Sequence, residues 1–403
     1  MPPEVAGADL VVGAARHLDA AELPPGVRRL VLGPLGPALD VIEEYAAEPG
    51  ARIVVLASGD PGFFGIVRVL AARFGAAALD VRPSAPSVAV AFARAGLSWD
   101  DAVVVSAHGR ELRTAVNVCR AHRKTAVLTG PGAGPAELGA ALARTGVERD
   151  LVVGTALGTD AERVVRVSPE EAAGREWGAE VAVVLCLAPS AADGGGGGAV
   201  RTIAGPAGAP AGWALPESEF AHRDSMVTKS EVRALALARL GPRTGELVWD
   251  IGAGSGSVAV ECARFGAAVV AVERDADAAD RVRANAAAHG VDVQVATGSA
   301  PGALDELPDP DAVFIGGGGA DLAAVVTACA RRARRVVVVT LAAVDRVPEV
   351  RGALRAAGLV ADGVLLQSAR LAPLPGEVTR LAAVNPVFVL WATRPATTQG
   401  AGS

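Results

Sequence analysis

The chain has 403 residues, which is too long for one ordinary domain, so two domains are expected. Apolar residues make up 51% of the sequence, enough for two buried cores, and the net charge is −6. This acidic balance argues against a general nucleic-acid binder, which usually presents a basic face. No nucleic-acid partner is therefore expected.

The start of the chain, its apolar runs and its cysteines predict a cytoplasmic protein with no membrane partner. The first residues include acids and lack the basic segment of a signal peptide. The longest apolar runs, such as Val336–Val344, are well short of the ~20 residues that a spanning helix needs. The four cysteines lie far apart without a CxxC pair, which disfavours a metal site and a disulfide framework.

Short β-branched runs alternate with alanine-rich helical stretches throughout the chain, a pattern that predicts an α/β fold. The predicted strands of the first half are Arg29–Leu32, Arg52–Ala57, Ala102–Ser106, Thr125–Leu128, Leu151–Val153 and Val181–Leu187. A stretch rich in Gly, Ala and Pro follows and predicts a flexible linker at residues 191–214, because it cannot bury a core. The predicted domains are residues 1–190 and 215–396.

The second half predicts a seven-stranded sheet with helices between its first five strands. Its predicted strands are Leu247–Ile251, Ala268–Val272, Asp292–Ala296, Ala312–Ile315, Arg335–Thr340, Gly363–Gln367 and Pro386–Trp391. Only a predicted loop, Ser368–Thr379, lies between the last two strands, so we expect them to pair antiparallel at the sheet edge.

A glycine-rich turn follows the first of these seven strands. Gly252-Ala253-Gly254-Ser255-Gly256-Ser257 separates the apolar strand Leu247–Ile251 from a helical run, and glycines there let the backbone approach a ligand closely. The next strand ends at Glu273, whose carboxylate can accept the ribose hydroxyls of an adenosine. Together these features favour an S-adenosylmethionine-dependent methyltransferase. The alternatives are a dinucleotide enzyme, whose G-x-G-x-x-G/A pattern would have Gly or Ala where Ser257 stands, and a purely structural turn.

The second half resembles the decarboxylating precorrin methyltransferases of cobalamin biosynthesis. The resemblance lies in segments before and after the predicted strands, and covers nearly all of Pro216–Arg394: Met226–Arg233, Val272–Asp275, Gly298–Pro301, Gly316–Gly319 and Asn385–Phe388. It implies a Rossmann-like class I methyltransferase that uses S-adenosylmethionine as co-substrate. The cofactor-binding residues it implies, together with the glycine turn, are Thr228, Gly252, Ala253, Gly254, Gly256, Ser257, Glu273, Ser299, Ala300 and Gly316. Thr228 with Glu231 also predicts a capping box at the start of a helix.

The first half resembles the tetrapyrrole methylase family, on the segments Ala57–Gly65, Ala91–Trp99 and Ser106–Arg110. The loop residues that this implies for a ligand cleft are Gly59, Asp60, Pro61, Phe63 and Gly65. Two departures stand out. The family's opening strand and Gly-x-Gly-Pro-Gly loop have no counterpart before Ala8, and Gly154-Thr155-Ala156-Leu157-Gly158 stands where the family usually has Gly-Glu-Asn-Leu-Gly. A weakened first domain is therefore expected. In the second half, Ser299 replaces a common Asp.

The two resemblances together imply a bifunctional enzyme. It would methylate ring carbons 5 and 15 of a small-molecule tetrapyrrole (precorrin) and decarboxylate the ring C acetate, and would form a homo-oligomer. No catalytic residue is assigned. Candidates for contact with the substrate carboxylates are His108, Arg110, Arg223 and Lys229. The alternative function is a class I methyltransferase of RNA or a small metabolite, with the first half as a non-catalytic docking domain.

Overall fold

The structure is a computed structural model that describes residues 3–178, 182–189, 202–205, 212–223, 227–317 and 319–395. It contains two compact units: residues 1–97 with 156–164, and residues 98–155 with 165–403. Most of the predicted linker lies outside the described residues, and the predicted domain bounds stay predictions. Within the described ranges, no helix is long and apolar enough to cross a membrane.

The first unit is built on a parallel three-stranded sheet in the order β2-β1-β3. Its strands are β1 (Leu10–Gly13), β2 (Arg28–Val31) and β3 (Ile53–Val55). Strand β1 was not among the predicted strands, yet it is fully buried and occupies the centre of the sheet. The helices are α1 (Pro3–Ala6), α2 (Ala15–Ala20), α3 (Leu35–Ala46), α4 (Val67–Phe74) and α5 (Ser87–Ala95).

The second unit contains two larger sheets, and the first is five-stranded with the order β4-β5-β8-β6-β7. Its strands are β4 (Val103–Ser106), β5 (Lys124–Leu128), β6 (Asp150–Thr155), β7 (Arg163–Val167) and β8 (Ala182–Leu187). Strand β8 is buried along its whole length and pairs antiparallel with β5 and β6. Strand β7 was not among the predicted strands. The helices here are α6 (Leu112–Ala121), α7 (Pro135–Ala143) and α8 (Pro169–Ala173).

The second sheet has seven strands in the order β11-β10-β9-β12-β13-β17-β14, which confirms the predicted number. Its strands are β9 (Leu247–Ile251), β10 (Ala268–Glu273), β11 (Gln294–Thr297), β12 (Ala312–Gly316), β13 (Val336–Leu341), β14 (Val360–Leu366) and β17 (Val387–Thr393). The first five run parallel, whereas β17 pairs antiparallel with both β13 and β14, as predicted for the sheet edge. The helices are α9 (Ser230–Leu240), α10 (Ser257–Arg264), α11 (Ala276–Ala288), α12 (Leu322–Arg332) and α13 (Val347–Ala356).

The predicted loop at Ser368–Thr379 was wrong, because the chain forms a β-hairpin there. Strands β15 (Ala369–Leu374) and β16 (Val378–Ala383) pair antiparallel across a turn in which Gly376 and Glu377 have positive φ. The hairpin leaves most of its side chains exposed, including Leu371 at 75%. It therefore lacks the one-sided apolar alternation by which a strand is predicted.

Helix α6 joins the two larger sheets of the second unit. Arg113 donates to both carboxylate oxygens of Asp311, which in turn accepts from the backbone N–H of Leu247 at the start of β9. Asn117 is buried on the same helix and donates from Nδ2 to the carbonyl of Gly245 at 3.0 Å. The amino-terminal ends of the seven-stranded sheet are thereby fixed to the five-stranded half.

Candidate active site

The glycine turn predicted from the sequence connects β9 to α10 at the carboxyl edge of the seven-stranded sheet. Gly252, Gly254 and Gly256 all have left-handed φ values, +71°, +58° and +72°. A Cβ added at Gly252 would lie only 2.5 Å from the carbonyl oxygen of Gly316, at the end of the neighbouring β12. Glycine is therefore required at Gly252 by both conformation and space.

The acid predicted beside the turn, Glu273, is the last residue of β10 and is only 9% exposed. Its Oε2 accepts from the backbone N–H of Gly254 at 2.9 Å. Its Oε1 accepts from the N–H groups of Arg274 and Asp275 at 2.9 and 3.1 Å. Three backbone donors thus fix the orientation of the carboxylate and tie it to the turn.

A cavity of about 450 Å³ opens where these elements meet. It is lined by the carboxyl ends of four parallel strands and by the start of α12. Its predicted lining residues are Gly252, Glu273, Ser299, Ala300 and Gly316, and its further lining residues include Gly298, Gly317, Ala320, Asp321, Leu322 and Val325. The structure therefore brings five predicted residues together around one space.

Five other predicted cofactor residues, Thr228 and four residues of the glycine turn, do not line that cavity. Ala253 and Gly254 form the turn itself, and the N–H of Gly254 holds Glu273. Gly256 faces α11, where an added Cβ would lie 2.8 Å from Val282 Cγ1. Ser257 is the buried first residue of α10. The last two therefore support close packing of helices rather than the wall of the cavity.

Most of the wall that the start of α12 forms was not predicted from the sequence. The signal that could have found it was the run Gly316–Gly319, which follows the fourth parallel strand and which was used only as a mark of resemblance. Of this run, Gly318 lies outside the described residues.

Asp250, directly before the turn, is a second buried acid that the sequence analysis did not single out. It is 1% exposed, and its Oδ2 accepts from the N–H of Ala259 in α10 at 2.9 Å. Its Oδ1 has no hydrogen-bond partner among the described residues. Burial raises the pKa of Asp250 to about 7, against the lowering effect of the Ala259 hydrogen bond, and nearby Glu273 adds to the rise.

The segment that precedes α9 is held by a buried ion pair. Arg233 and Glu261 are both fully buried, with Nε and Oε1 2.8 Å apart. Arg233 also donates to the carbonyls of Thr228 and Leu215, and Glu261 accepts from the N–H groups of Ala214 and Leu215. The backbone position of Thr228 therefore depends on a cation and an anion that lie inside the fold.

A further polar link connects this segment to the glycine turn. Asn285 in α11 donates from Nδ2 to the carbonyls of Ser255 and Ala221, and its Oδ1 accepts from the N–H of Ala221. No pattern in the sequence marked Asn285, because its partners lie 30 and 64 residues away.

The predicted capping box of Thr228 and Glu231 was wrong. Helix α9 begins at Ser230 with Lys229 at the N-cap position and no side-chain cap. Glu231 instead forms an ion pair with Arg370 of the hairpin, which also binds Glu217. Hydrogen bonds from Arg370 lower the pKa of Glu217 to about 2. The carboxylate of Glu231 therefore binds Arg370, which is distant in the sequence, and does not cap the helix.

The predicted substrate contacts of the second unit lie at scattered positions. Lys229 is half-buried at the start of α9, whereas Arg223 is exposed. His108 and Arg110 are exposed in the turn after β4, and His108 packs against the backbone of Gly130. None of these four is among the residues that line the 450 Å³ cavity.

The Gly-Asp-Pro loop of the first unit follows β3 and is closely packed. Gly59 has a φ of +61°, and Asp60 Oδ1 accepts from the N–H of Gly62 at 2.8 Å within its own turn. A Cβ added at Gly65 would lie 2.2 Å from the carbonyl oxygen of Pro61. Phe63 makes an edge contact with Phe64, which is 46% exposed.

A polar cluster beside this loop was not predicted. Ser58 Oγ lies 2.8 Å from His17 Nε2 and accepts from Arg16 Nη2 at 3.2 Å. Burial and the charge of Arg16 lower the pKa of His17. Because His17 and Ser58 are 41 residues apart, only the pairing of β1 with β3 brings them together.

The second departure from the family pattern has a conformational consequence. Ala156 has a φ of +47°, in the left-handed region. The family's usual Asn tolerates this region far better than Ala does. The substitution therefore adds backbone strain at the turn that follows β6.

A parallel sheet with a glycine turn, a fixed acid at the end of the neighbouring strand and an antiparallel edge defines the class of α/β methyltransferases. Comparison with known proteins narrows this class. The model of the precorrin methyltransferase domain matches residues 218–394, and that of the tetrapyrrole (corrin/porphyrin) methylases matches residues 5–173. The chain is 38% identical over 322 residues to a precorrin-6Y C(5,15)-methyltransferase [decarboxylating] of Sinorhizobium sp, covering 79% of this chain and 74% of the relative. The chain belongs to this family of two-domain precorrin methyltransferases.

Two shorter relatives each cover less than half of the chain. One, from Pyrobaculum calidifontis, is described as a probable cobalt-precorrin-6B C(15)-methyltransferase (decarboxylating) and is 35% identical over 44% of this chain and 94% of its own length. The other, a cobalt-precorrin-7 C(5)-methyltransferase of Salmonella typhimurium, is 37% identical over 39% of this chain and 76% of its own length.

Proposed function

We propose that the cavity at the carboxyl edge of the seven-stranded sheet binds S-adenosylmethionine. Its volume of about 450 Å³ falls in the usual range of ligand pockets, roughly 300–1,000 Å³. A carboxylate has about four acceptor sites, and the backbone uses three of those of Glu273, so the side chain can accept from a ribose hydroxyl. The orientation of Glu273 is the single observation that carries this assignment.

The remaining contacts follow from the lining of the cavity. We assign Ser299 and Ala300, which line the cavity, to the adenine, and the Ser299 hydroxyl can still form the hydrogen bond that the family's Asp would make. Gly252 lines the cavity and lies close to Gly316 of β12, so we assign the methionine part of the cofactor to the wall that these two residues form. Thr228, whose backbone is held by Arg233, is assigned to the same end of the cofactor.

The reaction that we propose is methylation of precorrin ring carbons 5 and 15 with decarboxylation of the ring C acetate. S-adenosylmethionine supplies the methyl group as a sulfonium. The chief task of the protein is then to align the nucleophilic ring carbon with that methyl group, and such alignment can contribute much of the rate. No side chain need act as a nucleophile.

The substrate is a polycarboxylate, so cations should hold it. We assign this role to Lys229 and Arg223 near the start of α9, and to Arg110 with His108 after β4. Guanidinium groups bind carboxylates through paired hydrogen bonds, which favours the two arginines as orienting contacts.

The two halves would divide the reaction between them. The names of the two shorter relatives support methylation of carbon 15 and decarboxylation by one half, and methylation of carbon 5 by the other. The seven-stranded half is assigned carbon 15, because it matches the precorrin methyltransferase domain.

A second candidate function assigns the first half a non-catalytic docking role beside one active methyltransferase. The observation that favours it is the strained Ala156, in a segment that departs from the family pattern. A homo-oligomer remains a prediction under either function.

The mass of the product distinguishes these proposals. The full chain is given S-adenosylmethionine and the reduced precorrin, and the product is analysed by mass spectrometry. A gain of two methyl groups with loss of one carbon dioxide supports the full reaction. A gain of one methyl group with decarboxylation supports the docking role. If no product forms although S-adenosylmethionine binds, the proposal that the substrate is a precorrin is overturned.

The variant Glu273→Gln tests the cofactor site through direct binding of S-adenosylmethionine. It replaces one acceptor oxygen by an amide that cannot accept from the backbone donors. We expect about tenfold weaker S-adenosylmethionine binding by calorimetry, as for the loss of ~1.4 kcal/mol. Unchanged binding would remove Glu273 from the site. Glu349→Gln, on the surface of α13, serves as the control.

A further inference from the structure

Arg120, in helix α6, is a buried cation without an anionic partner among the described residues. It is 4% exposed, and the one hydrogen bond that its side chain makes with the described residues runs from Nη2 to Gln294 Oε1 at 2.7 Å. Gln294 is neutral, so it accepts the hydrogen bond but does not balance the charge. Burial of an unpaired charge is costly, and protein folds normally avoid it.

The neighbouring cations do not share their carboxylates with Arg120. Arg113 holds Asp311 through both of its oxygens, and Arg149 pairs with Asp292 at 2.7 Å. Arg149 also donates to the backbone carbonyls of Cys119 and Arg120. Burial, and then repulsion from Arg113 and Arg149, lower the pKa of Arg120 to about 10.

A cavity of about 620 Å³ adjoins this side chain. Four arginines and two acids line it, and two of the arginines are already paired: Arg149 with Asp292, and Arg283 with Asp280 of its own helix. The arginines are Arg120, Arg123, Arg149 and Arg283. The space therefore adjoins a buried guanidinium, that of Arg120, with N–H donors that no described residue accepts.

We propose that this cavity binds a small oxyanion, of the phosphate or carboxylate class, with Arg120 as its central contact. The planar guanidinium donates paired hydrogen bonds to such oxygens, and an anion would balance the charge that the fold leaves unpaired. This inference goes beyond the proposed function, because the site lies elsewhere in the second unit. Val269 and Gln294 mark the amino-terminal ends of β10 and β11, whereas the glycine turn lies at the carboxyl ends.

The bound anion would also connect the two sheets of the second unit. Arg120 and Arg149 come from the five-stranded half, and Gln294 and Arg283 belong to the seven-stranded half. An anion that contacts both sides adds to the hydrogen bonds of α6. Occupancy should therefore stabilise the whole unit by linkage.

The test is thermal denaturation of the full chain with inorganic phosphate or succinate, against chloride at equal ionic strength. The variants are Arg120→Met, which keeps the apolar stem, Arg120→Lys, which keeps the charge, and the control Arg351→Met on the surface of α13. Phosphate also stabilises proteins weakly by exclusion from their surface, so the saturable part of the Tm shift is the quantity compared. Direct binding of phosphate is followed by the line width of its phosphorus resonance.

We expect a saturable rise in Tm for the wild type and for Arg351→Met, no saturable rise for Arg120→Met, and about tenfold weaker binding for Arg120→Lys. Arg120→Met should melt no lower than the wild type when no oxyanion is present. Saturation by only one of the two anions identifies the class of ligand. No saturable shift with either anion, or an undiminished shift in Arg120→Met, overturns the proposal. The wild-type and Arg120→Lys titrations decide the matter if Arg120→Met does not fold. Because no S-adenosylmethionine is present, the outcome is independent of the methyltransferase assignment.

Discussion

The glycine turn of the seven-stranded sheet and the Gly-Asp-Pro loop of the first unit both follow a parallel strand, but they use their acids differently. Glu273 comes from the neighbouring strand, and three N–H groups fix it at the edge of a cavity. Asp60 comes from its own loop and accepts from Gly62 two residues later. The first acid is fixed in the wall of a cavity, whereas the second stabilises the turn that contains it.

The difference shows which residues of each loop are placed to contact a ligand. In the glycine turn, Gly252 lines the cavity and the N–H of Gly254 holds the acid at its edge. In the Gly-Asp-Pro loop, the motif residues shape the loop, and the polar groups beside it are His17, Arg16 and Ser58. A motif can thus mark either a site or the support of a site.

The largest effect is expected at the glycine turn. Gly252→Ala places a Cβ 2.5 Å from the carbonyl oxygen of Gly316, so the turn must move away from β12. We expect S-adenosylmethionine binding to the seven-stranded half to weaken at least ~100-fold, equivalent to about 2.7 kcal/mol, by calorimetry. Gly254→Ala is the matched control, because its φ is also positive but its added Cβ meets nothing within 4 Å. Equal loss in both variants would show that conformation alone, not the contact with β12, accounts for the effect.

The second prediction concerns the other loop. Gly65→Ala puts a Cβ 2.2 Å from Pro61 O and should open the Gly-Asp-Pro loop. We expect the rate of carbon 5 methylation to fall at least tenfold, while carbon 15 methylation and decarboxylation continue. The masses of the products measure both. Gly33→Ala is the control, since its Cβ has open space. An unchanged product mass and rate would reduce this loop to a structural role.

The third prediction uses the raised pKa of Asp250, about 7 in the folded chain against 3.8 for the unperturbed group. Between these pH values the folded state binds more protons than the unfolded state, so this carboxyl makes stability fall as pH rises from about 4 to 7, and stay level above that. Asp250→Asn removes this contribution. The stability of the variant relative to the wild type should therefore increase across that window, at roughly 1.4 kcal/mol per pKa unit at most. Urea unfolding at a series of pH values measures it, and a difference that is constant from pH 4 to 7 would contradict it.

The smallest effect is expected at Ala156. Ala156→Asn should relieve the strain of a φ of +47° and raise the unfolding free energy by about 0.5–1 kcal/mol. Ala156→Gly should relieve the same strain but regain less, because glycine adds freedom to the unfolded chain. Chemical denaturation measures both, and a loss of stability in both would show that the left-handed backbone is not what limits this turn.

The features that were predicted correctly are those formed by residues that follow one another closely along the chain. The glycine turn, Glu273 and the antiparallel edge were predicted, because strand, turn and acid follow one another in a fixed register. The hairpin at Ala369–Ala383 was missed, because its exposed strands bury no face.

Long-range partners could not be predicted. Glu231, predicted to cap a helix, binds Arg370, which lies 139 residues away in the sequence. Ser58 contacts His17 across the sheet of the first unit. Arg120 could not be distinguished among the many arginines of this sequence, because its isolation depends on which carboxylates Arg113 and Arg149 have already taken. Such accounting of charges requires the folded chain.

The position of β17 between β13 and β14 has a consequence for how the protein is made. On the ribosome, β13 has an open edge and β14 has no partner in the sheet until residues 387–393 have left the exit tunnel. The five parallel strands can assemble during translation, but closure of the sheet must wait for its last strand. Until then the nascent chain exposes a hydrophobic strand edge, the kind of surface that chaperones bind and that pairs wrongly with neighbouring chains.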